Sequence, residues 1–322
     1  MLGGLLALIS AVSFAVTNAG VRRGVISGTA LQATVFSIPV GVPIFALALY
    51  VSGHPGVIGE LPSRSLAAFA VTGVTHFTIG RYANYRAIGA IGTNLAGPVM
   101  QFNLIVSLVL AIALLGEVLT LPRILGILLI FVGPAMVARE SVHRAQMKQE
   151  LAFTPRHAEG YLFASLAALC YGATPVLLRY AAHGRGIDAS LAGGLVSTIS
   201  ASFVVAALLL MPRHLREVRA VNAHATRWFL FAAVMVYVSQ LFYYMAIALV
   251  PVTIVAPISA LSNIIRIHVS RWLNPRHEVF GPEVTLATIL SFIGVVVLSL
   301  SLDALPFRLP PGLAMVLAWH WP

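Results

Sequence analysis

The sequence predicts an all-α polytopic membrane protein with ten transmembrane helices, arranged as two inverted repeats of five helices. Three observations predict this fold. Of the 322 residues, 59% are apolar and only 9% are charged, and the mean hydropathy is +0.93, whereas soluble domains usually carry about a quarter charged residues. Uncharged stretches of about 20 residues, enough to cross a ~30 Å hydrocarbon core, recur along the chain. The two sides of a charged central segment resemble each other.

The apolar spans follow one another with short turns between them. The predicted spans are residues 2–21, 29–51, 65–86, 91–115, 121–138, 160–180, 188–211, 227–248, 251–272 and 284–302. Gly, Pro and charged residues mark the turns, as at 52–56, 116–117 and 274–276. The first span is as apolar as a signal peptide, but no basic segment precedes it, so we interpret it as the first helix.

Residues 139–159 differ in composition from the rest of the chain. They hold seven of the thirty charged residues, including the only lysine, Lys148. We interpret them as a solvated linker between a first repeat at 1–138 and a second repeat at 160–302. Residues 303–322 form a C-terminal tail whose apolar part is too short to span a membrane.

Three pairs of similar segments indicate that the second half repeats the first. Residues 9–24 align with 166–181, residues 85–98 with 244–257, and residues 117–133 with 278–294. The offset drifts from 157 to 161 residues, as a diverged duplication with small insertions would produce. Because five is an odd number of helices, the second repeat must lie upside down relative to the first. Inverted repeats that share a site at their interface are typical of secondary transporters.

Basic residues are unequally divided between the two predicted faces of the membrane. The odd-numbered loops and adjoining helix ends hold fifteen Lys and Arg, and the even-numbered loops with the C-terminus hold five. The positive-inside rule therefore places the odd loops in the cytoplasm and both termini outside. The net charge of +10 therefore reflects basic residues at helix ends, which orient the helices in the membrane. We expect no nucleic-acid partner, because the chain has no basic patch interleaved with aromatic residues.

The segment LLGEVLTLPRILGILLIFVG at 114–133 has a recognisable pattern across one turn and the helix that follows. Its positions are Gly116, Glu117, Leu119, Thr120, Gly126 and Gly133. Pro98 and Pro257 each follow a Tyr-x-Ala-Ile stretch. Together with the repeat, these features resemble the EamA-like family of the drug/metabolite transporter (DMT) superfamily over about 1–302. The second copy of the pattern is degenerate at 274–277, before Glu278.

The resemblance implies a ten-helix bundle whose central cavity is lined by the first, third and fourth helices of each half. It also implies export or exchange of metabolites, amino acids in many bacterial members, across the inner (plasma) membrane of a bacterium. The expected partners are a small-molecule solute and the lipid bilayer, with monomer and homodimer both open. Members more often keep both termini in the cytoplasm, which opposes the charge count, so the orientation stays open.

Polar and aromatic residues on the third span form one predicted stripe. Thr75, Thr78, Arg81, Tyr82 and Tyr85 fall within about 120° of one another on an α-helix. Their repeat counterparts on the eighth span include Tyr237, Gln240 and Tyr244. Because the duplication relates the two stripes, we predict that they face each other across a substrate cavity. The alternative is helix–helix hydrogen bonding, with tyrosines anchored at the membrane interface.

Further polar residues on neighbouring spans are candidates for the same cavity. They are Gln101 on the fourth span, Tyr171 and Thr174 on the sixth, and Ser262, Asn263 and Arg266 on the ninth. For Gln101, Ser262 and Asn263, packing between helices is an equal alternative. The alternative for Arg266 is that its long stem extends to an interface.

The distribution of charge predicts the class of substrate. All ten carboxylates lie at loops, helix ends or the linker, so none provides the buried acid that a proton-coupled exporter of cations generally needs. The basic groups that approach the membrane interior are Arg81, Arg86 and Arg266, and a guanidinium suits a carboxylate or phosphate. We therefore predict an anionic or zwitterionic substrate. Proton coupling would need His76 or His268, and uncoupled exchange stays open.

The main alternative class is an intramembrane enzyme. His183 and Asp188 have the His-x4-Asp spacing of some acyltransferases, but two fixed positions are a weak signal. The sequence has no HExxH, Gly-x-Ser-x-Gly or Walker A motif. Its single cysteine, Cys170, excludes a cysteine-based metal cluster. We predict no enzymatic activity, metal or cofactor; a channel or a non-transporting membrane sensor remains a further alternative.

Glu117 and Glu278 stand at repeat-related turns that each precede a predicted helix. A carboxylate beside a helix N-terminus accepts hydrogen bonds from unbonded N–H groups and is favoured by the helix dipole. We therefore expect each of the two glutamates to cap the helix that follows it.

Overall fold

The computed structural model describes residues 2–122, 124–129, 132, 156–182 and 184–273, with single positions at 286, 289–290, 293–294, 297 and 320–321. Some side chains within these ranges lie outside the description: Asn94, Leu95, Pro98, Asn263, Ile267, Ser270 and Arg271. Nearly all of the predicted linker and tail, and most of the tenth predicted span, also lie outside the described residues.

The described residues are almost entirely helical. The helices are α1 (Leu2–Val25), α2 (Ala30–Ser37), α3 (Gly41–Val51), α4 (Val57–Glu60), α5 (Ser63–Thr72), α6 (Arg81–Met100), α7 (Phe102–Leu115), α8 (His157–Ala182), α9 (Gly186–Leu209), α10 (Pro212–Arg219), α11 (Ala223–Leu249), α12 (Val252–Ala260) and α13 (Ser262–Leu273). A 3₁₀-helix at Ile38–Val40 joins α2 to α3, and a π-helix at Gly73–Gly80 joins α5 to α6. The two-residue strands β1 (Leu119–Thr120) and β2 (His320–Trp321) pair antiparallel.

Five of the described helical segments are long and apolar enough to cross a membrane. They are α1, the α2–α3 segment Ala30–Val51, α8, α9 and α11. These segments correspond to the first, second, sixth, seventh and eighth predicted spans. Shorter apolar helices occur at Phe102–Leu115 and Val252–Arg266. The protein is therefore an all-α membrane protein, with five clear apolar spans and additional shorter ones.

One glycine separates the third and fourth predicted spans inside α6. Gly92 has φ of 77° and ψ of 172°, whereas the rest of α6 is helical. An L side chain rarely adopts this positive φ, but glycine does so without a steric penalty. Gly92 therefore forms a kink between two helical parts of α6.

Helix packing pairs each half of the chain with the other. Helix α1 packs mainly against α11, and α6 packs mainly against α8. Next in extent are the contacts of α7 with α8 and of α1 with α13. In terms of the predicted spans, the first helix of each half therefore packs on the third and fourth helices of the other half.

Hydrogen bonds between distant segments identify the two ends of the bundle. At one end, Thr29 Oγ1 donates to Glu217 (2.8 Å) and Asn222 Nδ2 donates to the carbonyl of Ser27 (2.8 Å). We name this the α10 end, because Glu217 lies on α10. At the opposite end, Arg179 Nη1 donates to the carbonyl of Ile247 (2.7 Å). At the same end, His54 Nδ1 lies 3.2 Å from Asp188 Oδ2, while His183 lies outside the described residues.

Glu117 caps a helix at the opposite end, but not the expected one. Its Oε1 accepts from the N–H of Val252 (2.9 Å) and its Oε2 from the N–H of Thr253 (2.8 Å), the first two residues of α12. The expectation that Glu117 caps the helix directly after it was therefore wrong. The start of α12 meets the end of α7 in space, and its first N–H groups have no partner within their own helix. The repeat counterpart Glu278 lies outside the described residues.

Candidate functional site

A cavity of about 70 Å³ lies between helices of both halves. On a scale where one water needs about 10–15 Å³, it holds about five waters or a small polar solute. Six segments contribute to its wall: α1, the π-helix, α7, α8, α11 and the α12–α13 pair. The polar residues of the lining are Ser10, His76, Asn103, Ser107, Tyr171, Ser239, Gln240, Ser259 and Ser262. The wall thus combines polar and apolar groups, and His76, Tyr171 and Tyr243 are its ionisable residues within the described part of the chain.

Some polar groups of the lining are already hydrogen-bonded to the protein, and others are not. Ser10 and Ser239 bond to each other (3.1 Å between the Oγ atoms), and Ser107 donates to the carbonyl of Gly172 (2.8 Å). These bonds join α1 to α11 and α7 to α8. By contrast, the Oε1 of Gln240 and the Oγ of Ser259 are buried without a hydrogen-bond partner among the described residues. These two groups are therefore available to a solute.

His76 enters the cavity from the π-helix. Its Nδ1 lies 2.9 Å from Thr174 Oγ1, and its ring centre lies 4.7 Å from that of Tyr171. The hydroxyl of Thr174 donates to the carbonyl of Cys170 (2.8 Å), so its oxygen is left to accept from the histidine. This arrangement assigns the proton of the neutral ring to Nδ1 and leaves Nε2 as the acceptor.

Arg81 lies beside the cavity and is not part of its lining. The side chain is only 1% exposed, and its Nη1 donates to Ser37 Oγ (3.3 Å) and Tyr237 Oη (3.2 Å). The guanidinium carbon is 4.8 Å from the ring centres of both Phe77 and Tyr237. Tyr237 Oη in turn donates to the carbonyl of Ile38 (2.8 Å). The arginine is thus held by two aromatic faces and two hydroxyl groups.

The positive charge of Arg81 has no acidic partner among the described residues. Its Nη2 is buried there without a hydrogen bond. An arginine at the centre of a membrane helix costs ~2.5–3.5 kcal/mol on insertion scales, and a desolvated cation–π contact contributes ~2 kcal/mol. The two rings can therefore stabilise the cation within the bundle, and the unused Nη2 still suits a carboxylate or phosphate oxygen.

The structure divides the stripe predicted on the third span. Thr78 and Tyr82 line a second cavity at the α10 end, whereas His76, which was not part of the stripe, lines the central cavity. Arg81 contacts α11, and Tyr85 is buried among residues of α1, α2 and α11. The residues of the stripe are therefore not gathered in the lining of one cavity, and the π-helix at Gly73–Gly80 departs from the α-helical turn on which the stripe was assigned.

Close packing on α9 accompanies the π-helix. A Cβ atom at Gly73 would overlap the carbonyl oxygen of Ser197. The side chains of Ser197 and Ser200 donate to the carbonyls of Phe69 (2.7 Å) and Ala70 (3.0 Å), just before the π-helix. These serines give additional partners to carbonyl groups at the point where the α-helical ladder changes.

The other predicted residues whose side chains are described lie outside the linings of both cavities. Gln101, Thr174, Tyr237 and Tyr244 are buried, and Tyr244 packs its ring 5.3 Å from that of Phe45. Arg266 is 2% exposed and lies against Gly97 inside the bundle, so it does not extend to an interface. The side chain of Asn263 lies outside the described residues. His268 is exposed and lies 3.3 Å from the carbonyl of Ile264 on its own helix.

Several polar residues of the lining were not among the predicted candidates. They include Ser10, Ser107, Ser239 and Tyr243. Serine is common at contacts between membrane helices, so an isolated serine carries little signal. For Ser239, the adjacent Gln240 was the only available indication.

Comparisons with known proteins identify the scaffold. A model of the EamA-like transporter family matches residues 1–139 and 158–300. A solved structure titled only "Crystal structure of protein" is similar over 92% of this chain and 96% of that chain, with a TM-score of 0.67 and 16% sequence identity. At this identity the likeness concerns the fold alone. Among curated proteins, none matches the chain.

Proposed function

The chain belongs to the EamA-like transporter family, and on this premise we propose that it exports or exchanges small anionic or zwitterionic metabolites, such as amino acids or organic acids. Membership makes it a membrane transporter of the DMT superfamily and not an enzyme. The proposed location is the inner (plasma) membrane of a bacterium. Its partners are then a small-molecule solute and the lipid bilayer.

The architecture that we propose is ten transmembrane helices in two inverted repeats. The repeats occupy 1–138 and 160–302, with the linker at 139–159 and the tail at 303–322. The reciprocal packing supports this proposal, because α1 lies on α11 just as α8 lies on α6. Rocking of one repeat against the other would expose the central cavity to each side of the membrane in turn.

The buried charge of Arg81 is the main support for an anionic or zwitterionic substrate. The central cavity is lined by neutral groups and His76, and no carboxylate among the described residues pairs with the adjacent arginine. The arginine therefore makes the interior electropositive, and a solute that brings a carboxylate or phosphate supplies the missing counter-charge. A cationic solute would meet the same charge without compensation.

We assign direct solute contacts to the predicted residues that line the central cavity. These are Tyr171, Gln240 and Ser262, together with His76. Arg81 acts through its charge and its free Nη2, while Tyr85, Tyr237 and Tyr244 hold the surrounding helices. Gln101, Thr174 and Arg266 serve packing in this proposal. Thr78 and Tyr82 belong to the second cavity.

Counterflow in proteoliposomes tests the proposed function. Vesicles with the purified protein are preloaded with unlabelled solute, and the entry of labelled amino acids, organic acids, phosphorylated acids and cationic amines is compared. We expect saturable exchange of solutes that bear a carboxylate or phosphate. Exchange of amines alone would contradict the charge argument, and protein-free vesicles control for leakage.

Only one of the two predicted histidines is placed to couple transport to protons. His76 lines the cavity, whereas His268 is exposed on α13. A pH gradient imposed during counterflow decides between coupled and uncoupled exchange. If the gradient drives uptake in the wild type, the drive should disappear in His76→Gln and persist in His268→Gln. A wild type that ignores the gradient is an uncoupled exchanger.

A further inference from the structure

A second and larger cavity, of about 490 Å³, lies at the α10 end of the bundle. Its volume falls within the ~300–1,000 Å³ typical of sites for small organic ligands. Segments α2, the π-helix, α6, α8, α9 and α10 contribute to its wall. It shares no lining residue with the central cavity.

One part of the wall is apolar and continuous with the surface that faces lipid. The apolar residues are Leu31, Val35, Ile79, Leu166, Val205 and Leu208. Of these, Ile79 and Leu166 are more than a third exposed, at 41% and 37%. On a membrane-spanning bundle, such exposed residues contact acyl chains. The cavity is therefore accessible to a hydrocarbon tail from the bilayer.

The other part of the wall is polar and includes two arginines. Arg86 is neutralised by an ion pair with Glu159, and Glu217 accepts from Thr29. Arg213 lies on α10, is exposed, and forms no ion pair with the described residues. Its charge is thus available to an anionic group at the mouth of the cavity.

A buried polar atom inside the cavity is a second indication of a ligand. Thr78 is 7% exposed, yet its Oγ1 has no hydrogen-bond partner among the described residues. A buried hydroxyl without a partner is destabilising, because it has lost its hydrogen bonds to water. A ligand that reaches between the π-helix and α9 could satisfy it with an ester or phosphate oxygen.

From these features we propose that the cavity at the α10 end binds a phospholipid with an anionic head group, whose phosphate pairs with Arg213 and whose acyl chain lies along Leu208 and Leu166. The α10 end carries the arginine-rich loops, which the positive-inside rule assigns to the cytoplasmic leaflet. Anionic lipids are concentrated in that leaflet, and basic pockets between membrane helices bind their head groups. The site is independent of the solute cavity.

The test uses the full-length protein in a non-ionic detergent and measures retained lipid by native mass spectrometry. The probes are phosphatidylglycerol, phosphatidylcholine with the same acyl chains, and glycerol phosphate without acyl chains. Arg213→Gln is compared with Arg216→Gln, which removes an exposed arginine one turn away that does not line the cavity. Leu208→Trp fills the apolar part, and the circular dichroism of each variant verifies its fold.

We expect retention of phosphatidylglycerol to exceed that of phosphatidylcholine in the wild type. Arg213→Gln should lower retention of phosphatidylglycerol about fivefold, the effect of one basic group near an anionic surface. Arg216→Gln should change it less than twofold, and Leu208→Trp should abolish the tightly held lipid. Equal losses in both arginine variants would overturn the proposal in favour of diffuse attraction. Equal retention of the two lipids, or of glycerol phosphate, would also overturn it.

Discussion

Residues 73–85 and their repeat counterparts at 232–244 hold equivalent places in the two halves, but they differ in helix type and in charge. The first segment is a π-helix that leads into α6 and carries His76 and Arg81. The second is part of the uninterrupted helix α11 and has Gln240 where the first has Arg81. Arg81 therefore has no cationic counterpart at the matching position of α11. The two halves can thus keep reciprocal packing while the matching segments differ in helical turn and in charge.

The largest structural effect is expected at the start of these segments. Gly73→Ala places a Cβ atom into the carbonyl of Ser197, which is backbone and cannot rotate away. We expect the free energy of unfolding to fall by about 3 kcal/mol, at the upper end for overpacked sites. The reciprocal change at the repeat position, Ala232→Gly, should cost about 1 kcal/mol from helix propensity. Unfolding of the purified variants in mixed detergent measures both losses of stability. Equal losses would contradict the difference in packing between the two segments.

A smaller loss of stability is expected from the tyrosine that joins the two segments. Tyr237→Phe keeps the ring under Arg81 but removes the hydroxyl that bonds to Arg81 and to the carbonyl of Ile38. Because one of these bonds involves a charged donor, we expect a loss of about 2 kcal/mol. The same unfolding assay applies, with Tyr161→Phe on the exposed side of α8 as the control. An unchanged midpoint in Tyr237→Phe would show that the hydroxyl does not hold the arginine.

The smallest effect is expected at the neutral counterpart of Arg81. Gln240→Leu removes a buried amide oxygen that is available to a solute, and a neutral hydrogen bond contributes ~0.5–1.5 kcal/mol. The KM of counterflow should therefore rise up to about tenfold, with little change in stability. Ser239→Ala is the matched control, since its hydroxyl is occupied by Ser10 and its loss should affect stability instead. An unchanged KM in Gln240→Leu would place the solute elsewhere.

The sequence predicted the fold class because composition and the spacing of apolar runs follow directly from the thickness of a bilayer. The duplication then indicated which residues of the two halves are related. Neither source can reveal the π-helix at 73–80, because assigning faces at 100° per residue assumes the α-helical turn. The partner of Glu117 was missed for a similar reason: α12 begins 135 residues later, and only tertiary packing brings it near.

The candidate site was predictable only in part. Tyr171, Gln240, Ser262 and His76 do line one cavity. Of these, Tyr171, Gln240 and His76 are large or strongly polar side chains, which are costly on a membrane helix unless they have a partner. The direction in which Arg81 points depends on Phe77 and Tyr237, which hold it from two sides. Such an arrangement depends on contacts between α6 and α11, which no local pattern contains.

The central claim is that the charge of Arg81, which no carboxylate of the described residues neutralises, selects the charge of the solute. It is tested most directly by counterflow of one amino or organic acid and its uncharged amide in the wild type, Arg81→Lys and Arg81→Gln. A hydrogen bond to a charged group contributes ~1.5–3 kcal/mol, so Arg81→Gln should lower the rate for the acid by about 10- to 100-fold. Arg81→Lys should retain part of it, and the rate for the amide should change little. Exchange of the acid by Arg81→Gln at the wild-type rate would contradict the account.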